Sequence, residues 1–141
     1  MKTKIIALLT AIILTTSVTF AQENKPVPKS IVDAFSNEFK KVSNISWLAK
    51  DDYYKAVFDA NEISMQAFYS FDGKLIAVSR KLTIKQLPII LGDKAKEKVG
   101  DIRLYDLFEM FSDRGTEYYL SFEKENKTKI YKSWEDIWVR Y

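Results

Sequence analysis

Hydrophobic positions along the chain change their spacing at several points, and each change predicts a new element. From residue 29 to about residue 41, apolar side chains recur at helical spacing on one stripe. Pro28 or Ser30 is placed to begin this helix. After Val42 apolar positions alternate with polar ones, which is typical of strands with one buried face. Strands are predicted at residues 44–49, 53–59, 63–70 and 75–81, with Asp72-Gly73 in the last hairpin turn.

The same order of elements repeats in the second half of the chain. An apolar stripe across residues 87–99 predicts a second helix, with Pro88 near its start and Gly100 at its end. Gly92 lies inside this helix and is expected to weaken it by about 1 kcal/mol relative to Ala. Further strands are predicted at residues 102–112, 116–124, 128–133 and 136–141.

The repeated order of elements predicts an α+β fold. Runs of strands after each helix favour an antiparallel sheet with the helices on one face. Residues 53–58 resemble residues 118–122 in type and in following a charged turn, which indicates a duplicated unit. We therefore predict one domain over residues 29–141, built from two helix-then-meander repeats at about 29–82 and 83–141.

Several core and turn positions carry a family resemblance. They are Ala34-Phe35, Ile45-Ser46-Trp47, residues 53–58, Phe71-Asp72-Gly73-Lys74-Leu75 and Leu87-Pro88. Together they resemble the PepSY-like family of small periplasmic proteins, whose fold is also described as β-lactamase-inhibitor-protein-like. The resemblance covers about residues 28–141 and is weaker in the second half, where Trp134-Glu135-Asp136 stands in place of Asp-Gly. It implies the fold and a location in the envelope of Gram-negative bacteria, and by analogy it implies binding or inhibition of a protein.

Residues 1–21 have the pattern of a secretion signal. Two lysines precede about fourteen uncharged residues, and the small residues Thr19 and Ala21 favour cleavage between Ala21 and Gln22. The apolar run is shorter than the roughly 20 residues that span a bilayer, although an uncleaved membrane anchor is an alternative. Residues 22–28 are polar, contain two prolines and are predicted to be a linker. We expect a periplasmic or secreted protein with no stable membrane insertion after signal removal.

Composition excludes several classes of chemistry. The 141 residues contain no Cys and no His, which excludes disulfides, thiolate nucleophiles, Ser-His-Asp triads and metal sites built on those residues. The chain also lacks the glycine-rich and nucleophile-elbow motifs of common enzymes. Its net charge of +3 is too small to indicate a nucleic-acid partner. We therefore predict a protein that is not an enzyme, uses no cofactor or metal and does not bind nucleic acid.

Charged residues concentrate at predicted turns and around the second helix. Asp51-Asp52, Asp59, Glu62 and Asp72 offer oxygen atoms that Ca²⁺ prefers, but the spacing of a calcium loop is missing. Aspartate is also favoured in turns for its backbone geometry, and we interpret these residues in that way. Lysines around the second helix are interpreted as a solvated surface.

Aromatic residues make up 14% of the chain and are its most unusual feature. Strand alternation sends part of them toward the helices and part to the opposite side of the sheet, where Lys55, Gln66, Ser121 and Arg140 are also expected. The predicted partner-binding residues on that opposite side are Tyr53, Val57, Phe68, Tyr119, Tyr131 and Trp138.

Two interpretations of these aromatics stay open. They form a surface for a protein or peptide in the cell envelope, a second copy of the chain included, or they only stabilise cross-strand pairs. The predicted function is a secreted, non-catalytic binding module, with inhibition of the bound protein or peptide as one form of it. A self-associating structural or stress-related envelope protein is the alternative.

Overall fold

A computed structural model describes residues 26–141, and its elements follow the predicted order. Within these residues there are two α-helices, α1 (Lys29–Glu38) and α2 (Ile89–Val99), with a short 3-10 turn (Ile84–Gln86) before α2. The strands are β1 (Val42–Ala49), β2 (Tyr54–Ala60), β3 (Ile63–Tyr69), β4 (Leu75–Lys81), β5 (Tyr105–Ser112), β6 (Gly115–Lys124), β7 (Lys127–Trp134) and β8 (Ile137–Arg140). The predicted signal peptide, its cleavage between Ala21 and Gln22, and residues 22–25 of the linker lie outside the described residues.

All eight strands form one sheet in chain order, from β1 at one edge to β8 at the other. Every neighbouring pair is antiparallel. One helix precedes each run of four strands. The predicted α+β class and the two helix-then-meander repeats are therefore confirmed.

Helix α1 buries Ile31 and Phe35, which lie four residues apart and so share one side of the helix. Their side chains pack on residues of β2 and β3. The helix ends at Glu38, three residues before the predicted end, because Phe39 already has an extended backbone and Lys41 has a φ of 56°. Strand β1 consequently starts at Val42, two residues earlier than predicted.

Helix α2 buries Leu91, Ala95 and Val99 against the second half of the sheet. Gly92 lies at a close approach, since a Cβ at this position would be 3.2 Å from the carbonyl oxygen of Ile84. Gly100 has a φ of 54° and ends the helix, as predicted.

Both helices lie on the same side of the sheet, which we call the helix face. On this side Tyr54, Ala56 and Phe58 of β2 pair with Tyr69, Ala67 and Met65 of β3 beneath α1. Leu107, Leu120 and Phe122 lie beneath α2. The opposite side, which we call the open face, carries a cluster of side chains that come only from strands and their ends. Its members are Tyr53, Phe68, Ala77, Met110 and Tyr119, with Ile76 and Ile130 beside them.

Candidate functional site

Four of the six predicted partner-binding residues lie on the open face. The register of β2 and β3 places Val57 and Phe68 there, and the strand-only cluster contains Tyr53, Phe68 and Tyr119. Their exposure differs from the prediction, because Tyr53 is 3%, Phe68 is 0% and Tyr119 is 1% exposed. These rings bury one another, as the edge-to-face contact of Tyr53 with Phe68 at 5.7 Å shows. Of the four, only Val57 is partly accessible.

Tyr131 and Trp138 were predicted on the wrong side of the sheet. Tyr131 pairs with Leu120 and therefore shares the helix face, where the Lys98 ammonium lies 4.7 Å from its ring centre. Trp138 is buried, and its indole N–H donates to the carbonyl oxygen of Leu91 in α2 at 3.0 Å. Both side chains hold α2 on the sheet, so neither contributes to a surface on the open face.

Tyr119 belongs to a closed polar network on the open face. Its hydroxyl donates to Glu117 Oε2 at 3.0 Å, and the Lys132 ammonium lies 2.6 Å from Glu117 Oε1. Burial, followed by the nearby Glu117 carboxylate, raises the pKa of Tyr119 well above its usual value of 10. The hydroxyl therefore stays protonated at neutral pH, and it has its acceptor within the protein.

A cavity of about 390 Å³ opens on the open face where β3, β4 and β5 run side by side. Gln66 pairs with Ser79 and Lys81 pairs with Phe108, so these side chains point to the same side. The small serine side chains leave a recess between longer neighbours. The cavity is lined by Ser64, Gln66, Ser79, Lys81, Asp106 and Phe108.

The charges at this cavity already compensate each other. The Lys81 ammonium lies 2.9 Å from Asp106 Oδ1, and both side chains are substantially exposed. An exposed pair of this kind contributes little to stability. Because its two charges cancel locally, the cavity favours a neutral polar group over a charged one.

Gln66 lines this cavity and has an unpaired, buried side-chain oxygen. Within residues 26–141, its Oε1 is the one buried side-chain oxygen or nitrogen that has no hydrogen-bond partner. A buried acceptor without a donor costs about 1–3 kcal/mol relative to a paired one. A ligand N–H or O–H group that reaches this oxygen when the Gln66 amide turns toward the cavity would recover part of that free energy.

Lys55 is a second unpaired polar group on the open face. It is 5% exposed and lies between Leu48 of β1 and Phe68 of β3. Among residues 26–141, no ion pair or side-chain hydrogen bond involves its ammonium group. Burial, with a smaller contribution from the positive charge of Lys50, lowers the pKa of Lys55 below its usual value.

Glu109 shows what a buried charge normally requires. It is 6% exposed, close to the exposure of Lys55, and its carboxylate is paired with the Arg80 guanidinium. Buried charges are generally retained only with such a partner. Lys55 is therefore the exception among the buried charged side chains that the structure describes.

Two of the acidic residues predicted at turns, Asp72 and Asp59, accept hydrogen bonds that stabilise the local structure. The Ser70 hydroxyl donates to Asp72, and this hydrogen bond lowers the pKa of Asp72. Asn44 donates to Asp59 at 2.7 Å across β1 and β2. In the described part of the chain, no group of three or more acidic residues is arranged to hold a metal ion. No helix of residues 26–141 is long and apolar enough to cross a membrane.

Sequence reasoning placed Lys55 and Gln66 on the correct side but did not select them as site residues. Alternation in β2 and β3 is sufficient to assign the face. The signal that distinguishes them is a long polar side chain on the same face of the strand as an apolar one, Val57 in β2 and Phe68 in β3. Their lack of partners depends on the side chains across the neighbouring strands.

No protein-family model matches the chain, and no curated protein matches it. The chain is similar in structure to a BLIP-like protein from Bacteroides fragilis, with 19% identity, a TM-score of 0.61 and coverage of 76% of this chain and 77% of that one. It is similar to a predicted periplasmic protein from Bacteroides eggerthii, with 14% identity, a TM-score of 0.65 and coverage of 76% and 79%. A DUF2874 family protein from Bacteroides ovatus matches with 14% identity, a TM-score of 0.62 and coverage of 77% and 79%.

These likenesses show the fold. The chain has the BLIP-like α+β architecture, in agreement with the fold implied by the sequence resemblance. Membership of the PepSY-like family stays a prediction.

Proposed function

We propose that this chain is a non-catalytic module of the bacterial envelope that binds a segment of a protein or peptide on the open face. The cavity between β3, β4 and β5 carries this proposal. Its volume of about 390 Å³ is in the range of ligand sites, and one of its lining residues is Gln66, whose side-chain oxygen is unpaired. Both helices pack on the other face, so neither of them fills this recess.

The structural likenesses support the location and the type of protein. One neighbour is BLIP-like and another is a predicted periplasmic protein. Either a peptide or a folded protein with a protruding loop fits an open strand surface. Where the bound protein is an enzyme, occupation of its surface by this chain would inhibit it.

Photo-crosslinking tests the proposed surface. A benzoylphenylalanine residue replaces Lys81 at the cavity rim, and the matched control carries it at Lys85, an exposed lysine of the 3-10 turn outside the cavity. After irradiation in an envelope extract, we expect a defined adduct from position 81 and none from position 85. In a second version of the position-81 protein, Ser64→Trp fills the cavity from an exposed position and should abolish the adduct. Equal adducts from both positions, or an adduct that survives Ser64→Trp, would contradict the proposal.

Self-association is the second candidate, and the exposed edge of the sheet favours it. Trp134 is 64%, Ile137 is 48% and Val139 is 44% exposed on or beside β8. Exposed apolar residues on an edge strand are a common site of pairing between copies. Sedimentation velocity at about 100 μM distinguishes the candidates. A binding module of the proposed kind sediments as a monomer with or without Trp134→Ser, whereas a self-associating protein sediments as a larger species that Trp134→Ser dissociates.

A further inference from the structure

The proposed function leaves the chemistry of the bound segment undefined, and two side chains on the open face define it further. Building on that function, we propose that the partner segment presents an aspartate or glutamate to the Lys55 ammonium and a neutral hydrogen-bond donor to Gln66. The recognised pattern is an acidic residue and a polar residue separated by one position. An asparagine, glutamine, serine or threonine supplies the donor.

The acidic residue follows from the charge of Lys55. The side chain is 5% exposed, and its ammonium group has no anion among the described residues. A carboxylate is the side chain that complements this arrangement, as Arg80 does for Glu109 on the other face. A basic partner residue at the same position would add like-charge repulsion.

The neutral donor follows from the cavity. Lys81 and Asp106 are already paired, so an additional charge would find no free counter-charge there. The unpaired Gln66 oxygen accepts an N–H or O–H group. The primary amide of asparagine or glutamine fits especially well, because it also offers an oxygen to the serine hydroxyls that line the cavity.

The spacing follows from the register of β2 and β3. Lys55 pairs with Phe68 and Val57 pairs with Gln66, so Lys55 and Gln66 occupy diagonal positions on the same face. Diagonal positions in an antiparallel pair lie about 7–8 Å apart. In an extended peptide, side chains at positions i and i+2 point the same way and are about 6.8 Å apart. One extended segment can therefore reach both groups.

Selection from a displayed library of random 12-residue peptides tests this inference on the secreted chain. Three parallel selections use the wild-type protein, Lys55→Met and the exposed-lysine control Lys85→Met. We expect wild type and Lys85→Met to enrich peptides with an acidic residue two positions from an asparagine, glutamine, serine or threonine. The Lys55→Met selection should lose the acidic enrichment.

Each selected peptide then provides a test that leaves the protein unchanged. Replacing its aspartate by asparagine should weaken binding to wild type by at least tenfold, measured by fluorescence polarisation. If the selected peptides lack an acidic residue and Ser64→Trp abolishes their binding, the inference is overturned and the proposed function stands. If the wild-type protein selects no peptide whose binding Ser64→Trp abolishes, both the proposed function and the inference are overturned. A dimer that Lys55→Met dissociates would assign Lys55 to a second copy of the chain and overturn the inference as well.

Discussion

Substitution of Lys55 by methionine is expected to make the protein more stable. The lysine side chain is only 5% exposed and its ammonium has no anionic partner within the described residues, so the desolvation of this charge opposes folding. Methionine is also long and unbranched, so it can keep the contacts with Leu48 and Phe68 on the flanking strands. Most single substitutions destabilise a protein, so a gain is a distinctive outcome.

The magnitude follows from the cost of an unsatisfied buried group, which is about 1–3 kcal/mol and more for a charge. Partial solvation of the amine tip reduces this value, so we expect the free energy of unfolding to rise by about 1–2 kcal/mol at pH 7. For a domain of this size, that gain raises the midpoint of thermal unfolding by roughly 4–8 °C.

Urea unfolding followed by circular dichroism measures this gain. The control Lys85→Met removes an exposed lysine and should change stability by no more than about 0.5 kcal/mol. A loss of 1 kcal/mol or more in Lys55→Met, with the control unchanged, would mean that the ammonium is stabilised by its surroundings and that its burial does not oppose folding.

The pH dependence of the gain provides an independent check of its cause. The pKa of Lys55 is lowered in the folded state, so between that value and 10.5 the unfolded chain binds more protons than the folded one. The wild type therefore gains stability as pH rises through this interval, and Lys55→Met does not. The advantage of Lys55→Met should be complete at pH 7 and should shrink toward pH 10.5. An advantage that is constant with pH would assign the gain to packing instead of charge.

Three further predictions concern the packing of the two helices on the sheet. Trp138→Phe removes the hydrogen bond to α2 and should lower the free energy of unfolding by about 1–3 kcal/mol, whereas Trp134→Phe at the exposed edge should have little effect in the same urea titration. Burial and a hydrogen bond to the Glu38 carboxylate of α1 raise the pKa of Tyr69, so the stability that depends on its protonated form is complete below pH 10 and falls as pH rises above it. Tyr69→Phe should therefore lose less stability than wild type between pH 9 and 11, and an equal loss would contradict this cause. Gly92→Ala should lower the midpoint of thermal unfolding although alanine favours helices, because its Cβ would lie 3.2 Å from the carbonyl oxygen of Ile84. A higher midpoint would show that the 3-10 turn at Ile84–Gln86 moves away without cost.

The fold could be predicted from the sequence because each element has a strong local signal. The apolar spacing of α1 and the alternation of β2 were sufficient to assign both type and face. Element ends were less certain, since residues 102–104 continue an apolar pattern and yet precede β5, with Leu104 86% exposed. No local pattern distinguishes a strand from an extended connection at that point.

The error at Tyr131 has its cause in a turn. Glu125 and Asn126 both have positive φ values, 56° and 55°, which corresponds to a two-residue hairpin turn of type I′. This turn pairs Lys124 with Lys127 and therefore places Tyr131 opposite Leu120 on the helix face. Such turns usually contain glycine, so the Glu-Asn pair did not indicate the register.

The candidate site was only partly predictable for a different reason. Alternation places Lys55, Gln66 and the aromatic residues on the open face, but it does not indicate which of them bury one another. The strand-only cluster closes over Tyr53, Phe68 and Tyr119, while Lys55 and Gln66 are left without partners. That distinction depends on contacts between neighbouring strands, which a single sequence does not specify.

A crystal structure of the chain with a selected acidic peptide would show directly where the peptide binds. We expect an extended peptide on the open face, with a carboxylate oxygen within about 4 Å of Lys55 Nζ and a donor hydrogen-bonded to Gln66 Oε1. A peptide bound along the β8 edge or on the helix face, with Lys55 and Gln66 left as they are, would contradict this expectation.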